Sequence, residues 1–250
     1  MILVGALLLI GAGLLFRRYR IESRQLRQVA TAVAGADLGC PALVVERLNQ
    51  WVYHNQGFAK NPHYFLSPRL GPTPLQVLAG GGDCADKSRL LAAMLDELGI
   101  PGTLVMLYSP DYGEPTHTVV EARLPGFRAV ADPVFNIVFP DGQGGLLGVA
   151  QLRARHDLFA ARLRTLTAER GPQAKVAYYE TESESYRWPR TINWERLAIT
   201  SAIAAALRWF IPHPELLARP RVLGEPVWLV SLVLAAGGGL CLALGLILAR

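Results

Sequence analysis

The sequence predicts an α+β fold flanked by N- and C-terminal transmembrane helices. Two uncharged, apolar runs lie near the ends of the chain, at residues 1–16 and 227–248. Between them, residues 84–98 carry Leu91, Met94, Leu95 and Leu98 on one helical face and stop at Gly99 with Pro101 just beyond. Short β-rich runs follow, two of them joined by Pro125-Gly126, a hairpin signal.

The end runs explain the composition. The chain has 250 residues, room for one large or two small domains, and 51% of them are hydrophobic. Residues 1–16 form a helix of roughly 24 Å, at the short limit for a span. Arg17, Arg18 and Tyr19 extend it by snorkelling. A secretory signal fits less well, since no basic region precedes the run and no small-residue cleavage site follows it. Residues 227–248 are long enough to cross the hydrocarbon core, with Trp228 at an interfacial position. Gly237, Gly238, Gly239 and Gly245 either permit close helix packing or merely dilute the helix.

The net charge is +5. Its arginines cluster beside the apolar runs, which points to anionic lipid; no base-reading motif supports nucleic acid. Arg17, Arg18, Arg20, Arg24 and Arg27 follow the first run, Arg219 and Arg221 precede the second, and Arg250 alone follows it. The positive-inside rule therefore predicts both termini outside and the middle region in the cytoplasm. Residues 197–211 are apolar but short, carry Arg208 and are bordered by Trp194 and Trp209, as in an interfacial or buried helix; a third span would change the topology.

The intervening chain divides into a basic stalk over residues 17–40, a domain over 41–145, and a helical basic extension over 146–196. A second span closes the chain at 227–249. In the domain, residues 43–53 read as a helix and 61–82 as a Pro- and Gly-rich loop. Residues 84–98 form the strongest helix, with Asp83 as N-cap, followed by strands at 103–108, 117–124 and 127–134. In the extension, residues 152–166 form a basic helix that either lies on the membrane or packs on the domain.

Three cysteines, Cys40, Cys84 and Cys241, are too few for a disulfide framework. Cys84 follows Gly80-Gly81-Gly82-Asp83 at a predicted helix start, where unpaired N–H groups and the helix dipole favour a thiolate. On a two-residue turn at Pro125-Gly126, paired residues sum to 251, so Val119 faces Asp132. His117 and Asp132 then share a face as diagonal neighbours about 7–8 Å apart. Cys84, His117 and Asp132 are the catalytic candidates: nucleophile, general acid–base and orienting carboxylate. Glu121 shares the face of His117 but stands about 13 Å along the strand. Trp51, Asn55 and Gln56 are candidates for a second oxyanion donor. His54, His63, His156 and His213 are scattered, without metal-ligand spacing. Asp86 and Lys87 are expected to face solvent.

The ordered set Gly81-Gly82-Asp83-Cys84-Ala85-Asp86-Lys87-Ser88, Glu97-Leu98-Gly99-Ile100-Pro101, His117 and Ala131-Asp132-Pro133 resembles the transglutaminase-like superfamily. The resemblance implies a papain-like transglutaminase core, with the Cys helix packed on an antiparallel sheet. It also implies acyl transfer through a thioester by a Cys84–His117–Asp132 triad. Two departures bear on the substrate groove: Thr118-Val119 follow the histidine where an aromatic is common, and Phe127 stands where the strand usually opens on Trp.

The expectation is an integral membrane cysteine hydrolase or transamidase acting on an amide of a peptide or protein, needing no cofactor and no metal. Its partners are membrane lipid and the substrate, with membrane proteins as further partners and no nucleic acid. The alternative is an inactive papain-like domain that binds a peptide or scaffolds a membrane complex.

Overall fold

A computed structural model of the protein describes residues 1–109, 111, 115–170, 183–194 and 198–249. It is a mixed structure of helices and one antiparallel sheet, with an apolar helix near each end. Arg250, used in the orientation argument, lies outside the described residues, as do residues 171–182 and 195–197 of the predicted extension and interfacial helix.

Helix α1 (Ile2–Ala34) runs unbroken for 33 residues, because no proline occurs before Pro41. That is about 50 Å, against a hydrocarbon core of about 30 Å. The expected span and stalk are therefore one helix. Its first half exposes Leu3, Leu7, Ile10 and Leu14, while its second half buries Leu26, Ala30 and Ala34 against the domain.

The domain follows in order: α2 (Pro41–His54), α3 (Pro74–Gly80), α4 (Cys84–Glu97), β1 (Gly102–Tyr108), β2 (Pro115–Leu124), β3 (Phe127–Asp132) and β4 (Ile137–Val138). Next come α5 (Val149–Ala154), α6 (His156–Arg170) and β5 (Pro189–Arg190), then α7 (Ala198–Leu207) and α8 (Pro226–Leu248). The strands pair in the order β4-β3-β2-β1-β5.

Strand alternation divides the core in two. Val120, Ala122, Ala129 and Ala131 face the cluster built on α1, α2 and α4, whereas Val119 and Val130 face the cluster that holds Phe159, Leu163 and Leu166 of α6. Helices α5 and α6 thus cover the second face of the sheet, and β5 extends its edge beside β1. Leu152 of α5 and Phe159, Leu163 and Leu166 of α6 pack against that face, so the predicted basic helix packs on the domain. That helix is broken at Arg155 into α5 and α6.

The β2–β3 ladder runs from Leu124–Phe127 to Val120–Ala131, and every pair sums to 251. Pro125 followed by Gly126 at φ +84° fits the two central positions of a type II turn, the second of which requires a positive φ. Helix α3 lies inside the predicted loop; its start is a capping box between Thr73 and Gln76, with Pro74 in the first turn.

Helices α1 and α8 pack antiparallel. A Cβ on Gly5 would stand 2.9 Å from the Gly238 carbonyl oxygen, and one on Gly245 would stand 2.7 Å from Ile2 Cγ1. Ser231 Oγ donates to the Ala12 carbonyl at 2.8 Å, and Tyr19 stacks on Trp228 at 5.4 Å. Gly238 and Gly245, seven residues apart, face α1; Gly239 meets nothing. Where α1 leaves this pair, Glu97 at the end of α4 accepts from Ser23 of α1 at 2.7 Å and also from Arg221, just before α8.

Among the described residues α7 runs for ten, and beyond it Trp209 and Phe210 are exposed.

Candidate active site

The site lies where the two core clusters meet. Cys84 occupies the first turn of α4 and packs against the cluster on the far face of the sheet. Asp83 caps the helix: its Oδ1 accepts from the backbone N–H of Ala85 at 3.0 Å and of Asp86 at 3.1 Å. The loop ahead of Cys84 is held from the other side. Asn61, buried, donates its amide to the Gly81 carbonyl at 2.6 Å and the Gln76 carbonyl at 3.1 Å. Gly81 at φ +73° passes so near residue 57 that a Cβ there would sit 2.7 Å from the Gly57 oxygen.

His117 and Asp132 lie beyond the last paired position of the β2–β3 ladder, on the shared face the hairpin register requires. His117 Nε2 is 2.7 Å from Asp132 Oδ2, and both side chains are buried. The other Asp132 oxygen, Oδ1, accepts from the N–H groups of Val134 at 2.9 Å and Phe135 at 3.2 Å, so the carboxylate is fixed in rotation. The Phe135 ring meets the imidazole edge-on at 5.5 Å. The Cys84 thiol is a hydrogen-bonding partner of the same imidazole. Burial alone would lower the His117 pKa; the charge and hydrogen bond of Asp132, together with Cys84, outweigh it and raise it to about 10. Such an imidazole holds a proton at neutral pH. The structure thus brings together all three residues singled out in the sequence.

Two residues expected in solvent are buried. Lys87 donates its ammonium to the carbonyls of Val52 at 2.8 Å, Tyr53 at 3.1 Å and Asn55 at 3.1 Å, closing the C-terminal end of α2. Asp86 pairs with Arg89 at 3.3 Å, and burial, with the charge of Asp83, raises its pKa. Ser88, also buried, donates to the Thr118 carbonyl at 2.8 Å and ties the Cys helix to the strand beside His117. Nothing local in the sequence marked Asn61, Lys87 or Ser88 as donors, because the carbonyls they donate to lie 15–35 residues away.

Of the oxyanion candidates, Trp51 packs against the helical core and Asn55 donates to the Leu78 carbonyl at 3.1 Å. Gln56, at φ +54°, lies against Gly81 in the loop ahead of Cys84. Glu121 is engaged elsewhere: it pairs with Arg128 at 2.8 Å and accepts from the Val149 N–H at 2.9 Å. Among the described residues no cluster of His, Cys, Asp or Glu is arranged to hold a metal.

Residues 28–131 match the sequence model of the Transglutaminase-like superfamily, a stretch that includes Cys84 and His117 and ends one residue before Asp132. One similar solved structure is a "Putative Cysteine Protease from Cytophaga hutchinsonii", 20% identical, with a TM-score of 0.36. The likeness covers 50% of this chain and 41% of that one, so it spans less than half of that protein's length. No curated protein matches.

Proposed function

We propose, from the match of residues 28–131 to the Transglutaminase-like superfamily, that the protein is a membrane-anchored cysteine hydrolase or transamidase acting on amide bonds of a peptide or protein. His117 holds the thiol proton of Cys84, and the Sγ attacks the amide carbon. The C–N bond breaks as His117 returns the proton to the leaving amine, and a thioester remains. Water then attacks the thioester with His117 as base; an amine in its place gives transamidation. Asp132 keeps the imidazole oriented and stabilises its charged form. The backbone N–H of Cys84 and a donor from Gln56 stabilise the oxyanion.

The observation that supports this reading most directly is the buried 2.7 Å His117–Asp132 bond on an imidazole that also meets Cys84 at a helix N-terminus. Membrane anchoring is supported by the antiparallel apolar pair α1 and α8, which expose large hydrophobic side chains such as Leu3, Leu7, Ile10, Val233, Leu240 and Ile247.

The test is the alkylation rate of Cys84 against pH, with Cys40 and Cys241 replaced. Rapid alkylation well below pH 8 that His117→Ala abolishes is expected. A rate that rises only near an ordinary thiol pKa of about 8.5 would refute an activated nucleophile.

A further inference from the structure

The loop between α2 and α3 is built in an unusual way. Phe65 is buried with the Arg18 guanidinium over its ring at 5.2 Å, while its neighbour Leu66 is 74% exposed. Leu66 has φ +62°, and the Ser67 N–H donates to the Phe65 carbonyl at 2.7 Å across it. That is a classic γ-turn, a rare and strained conformation that leucine does not adopt without cause. Two further bonds close the loop behind it: Phe65 N–H to the Gly71 carbonyl at 3.0 Å, and Leu70 N–H to the Ser67 carbonyl at 3.1 Å. The strain is spent on holding an aliphatic side chain in the open.

The position of the loop gives a reason. Arg18 lies two residues beyond the apolar half of α1 and one before Tyr19, which stacks on Trp228 at the head of α8. Tyr and Trp at the mouth of two apolar helices mark the level of a membrane–water interface. The loop is therefore pinned at that level. Its composition matches a lipid surface: residues 56–82 contain no Asp or Glu, and Lys60, Arg69, Phe58 and Leu66 are all exposed. Basic heads beside apolar tips suit an anionic bilayer.

We propose that this loop rests on an anionic bilayer surface, with Leu66 inserted among the acyl chains and Lys60 and Arg69 against lipid headgroups. The proposal rests on the membrane-anchored reading. It adds that the catalytic domain lies down on the membrane instead of standing clear of it. The same loop bridges to the nucleophile segment through Phe58–Gly82 pairing and the Asn61–Gly81 bond. The site then faces the membrane surface, and the polypeptide it takes is a membrane-proximal segment.

The experiment uses the full-length chain with Cys40, Cys84 and Cys241 replaced, carrying one environment-sensitive fluorophore at Leu66→Cys or, as a companion, at Arg69→Cys. Leu240→Cys on the outer face of α8 reports the anchor. Proteoliposomes of phosphatidylcholine and phosphatidylglycerol are quenched with lipid-borne nitroxides and with aqueous iodide. The expected result is nitroxide quenching at residue 66, with at least a threefold loss of iodide quenching relative to detergent-free buffer-exposed dye, and shallower quenching at residue 69. Iodide quenching at 66 and 69 while 240 answers to nitroxide would overturn the loop contact and leave the anchor intact. Nitroxide silence at 240 would overturn the anchor, whatever residue 66 does.

Discussion

A buried ammonium is tolerated only where its protons are satisfied, and Lys87 meets that condition with three carbonyls of the turn that ends α2. Glu225 is the opposite case. It is buried at the entry to α8, and burial, beside the charges of Glu97 and Asp96 and against the pull of Arg221 and Arg89, raises its pKa from 4.5 to about 7. An acid whose folded pKa is raised stabilises the fold below its unfolded pKa and loses that advantage as the pH rises through the folded one. Glu225→Gln should leave the melting temperature unchanged near pH 4 and increase stability at pH 8 by up to about 3 kcal/mol. His117 follows the same sign, rising from 6.5 to about 10. Its contribution is full below pH 6.5 and is lost toward pH 10. The stability gap between wild type and His117→Gln should therefore narrow steadily across that interval in thermal melts. A constant gap would mean that the residue only fills space.

Among the elements, the α1–α8 pair depends on glycine. A side chain on Gly238 would fall 2.9 Å from Leu9 Cγ and 3.0 Å from the Gly5 carbonyl, so the helices would have to separate. Gly238→Leu is expected to break the cross-link that forms between cysteines placed at Gly11 and Leu234, where a Cβ at Gly11 meets Leu234 at an ordinary 3.5 Å, whereas Gly239→Leu, which meets open space, should preserve it. The hairpin that aligns His117 with Asp132 was legible from its turn alone, because a two-residue Pro-Gly loop sets the register of every later pair. Helix α3 was obscured by the prolines around it, although its Thr73–Gln76 capping box was in plain view. Strand β5 has two residues, too few for any period to show. The depth of Lys87 and Asp86 could not be read locally, since solvent exposure in a helix's first turn is decided by what packs over it.

For the whole molecule, the positions of the termini and the domain follow from one geometric fact: α1 and α8 are antiparallel, so residues 1 and 248 lie at one end of the pair and the domain at the other. With arginines gathered on the domain side, a reporter fused after residue 250 should register outside and one inserted near Gly142 in the cytoplasm. The reverse pattern would refute the charge argument while leaving the antiparallel pair untouched.

The continuity of α1 also decides where the molecule can be cut. A fragment beginning at Pro41 would look natural by sequence, yet it discards Leu26, Ala30 and Ala34 and uncovers the core surface they seal. Those three side chains are worth several kcal/mol of burial, at about 25 cal/mol per Å². A fragment beginning after Phe16 and ending before Pro226 keeps that seal, along with Ser23 and Arg221 on Glu97. It should stay monomeric and cooperative in solution, while the shorter fragment aggregates; size-exclusion chromatography of the two side by side distinguishes them. The lower half of α1 is thus less a tether than the first helix of the domain, and separating the domain from the apolar helix pair means cutting inside a helix.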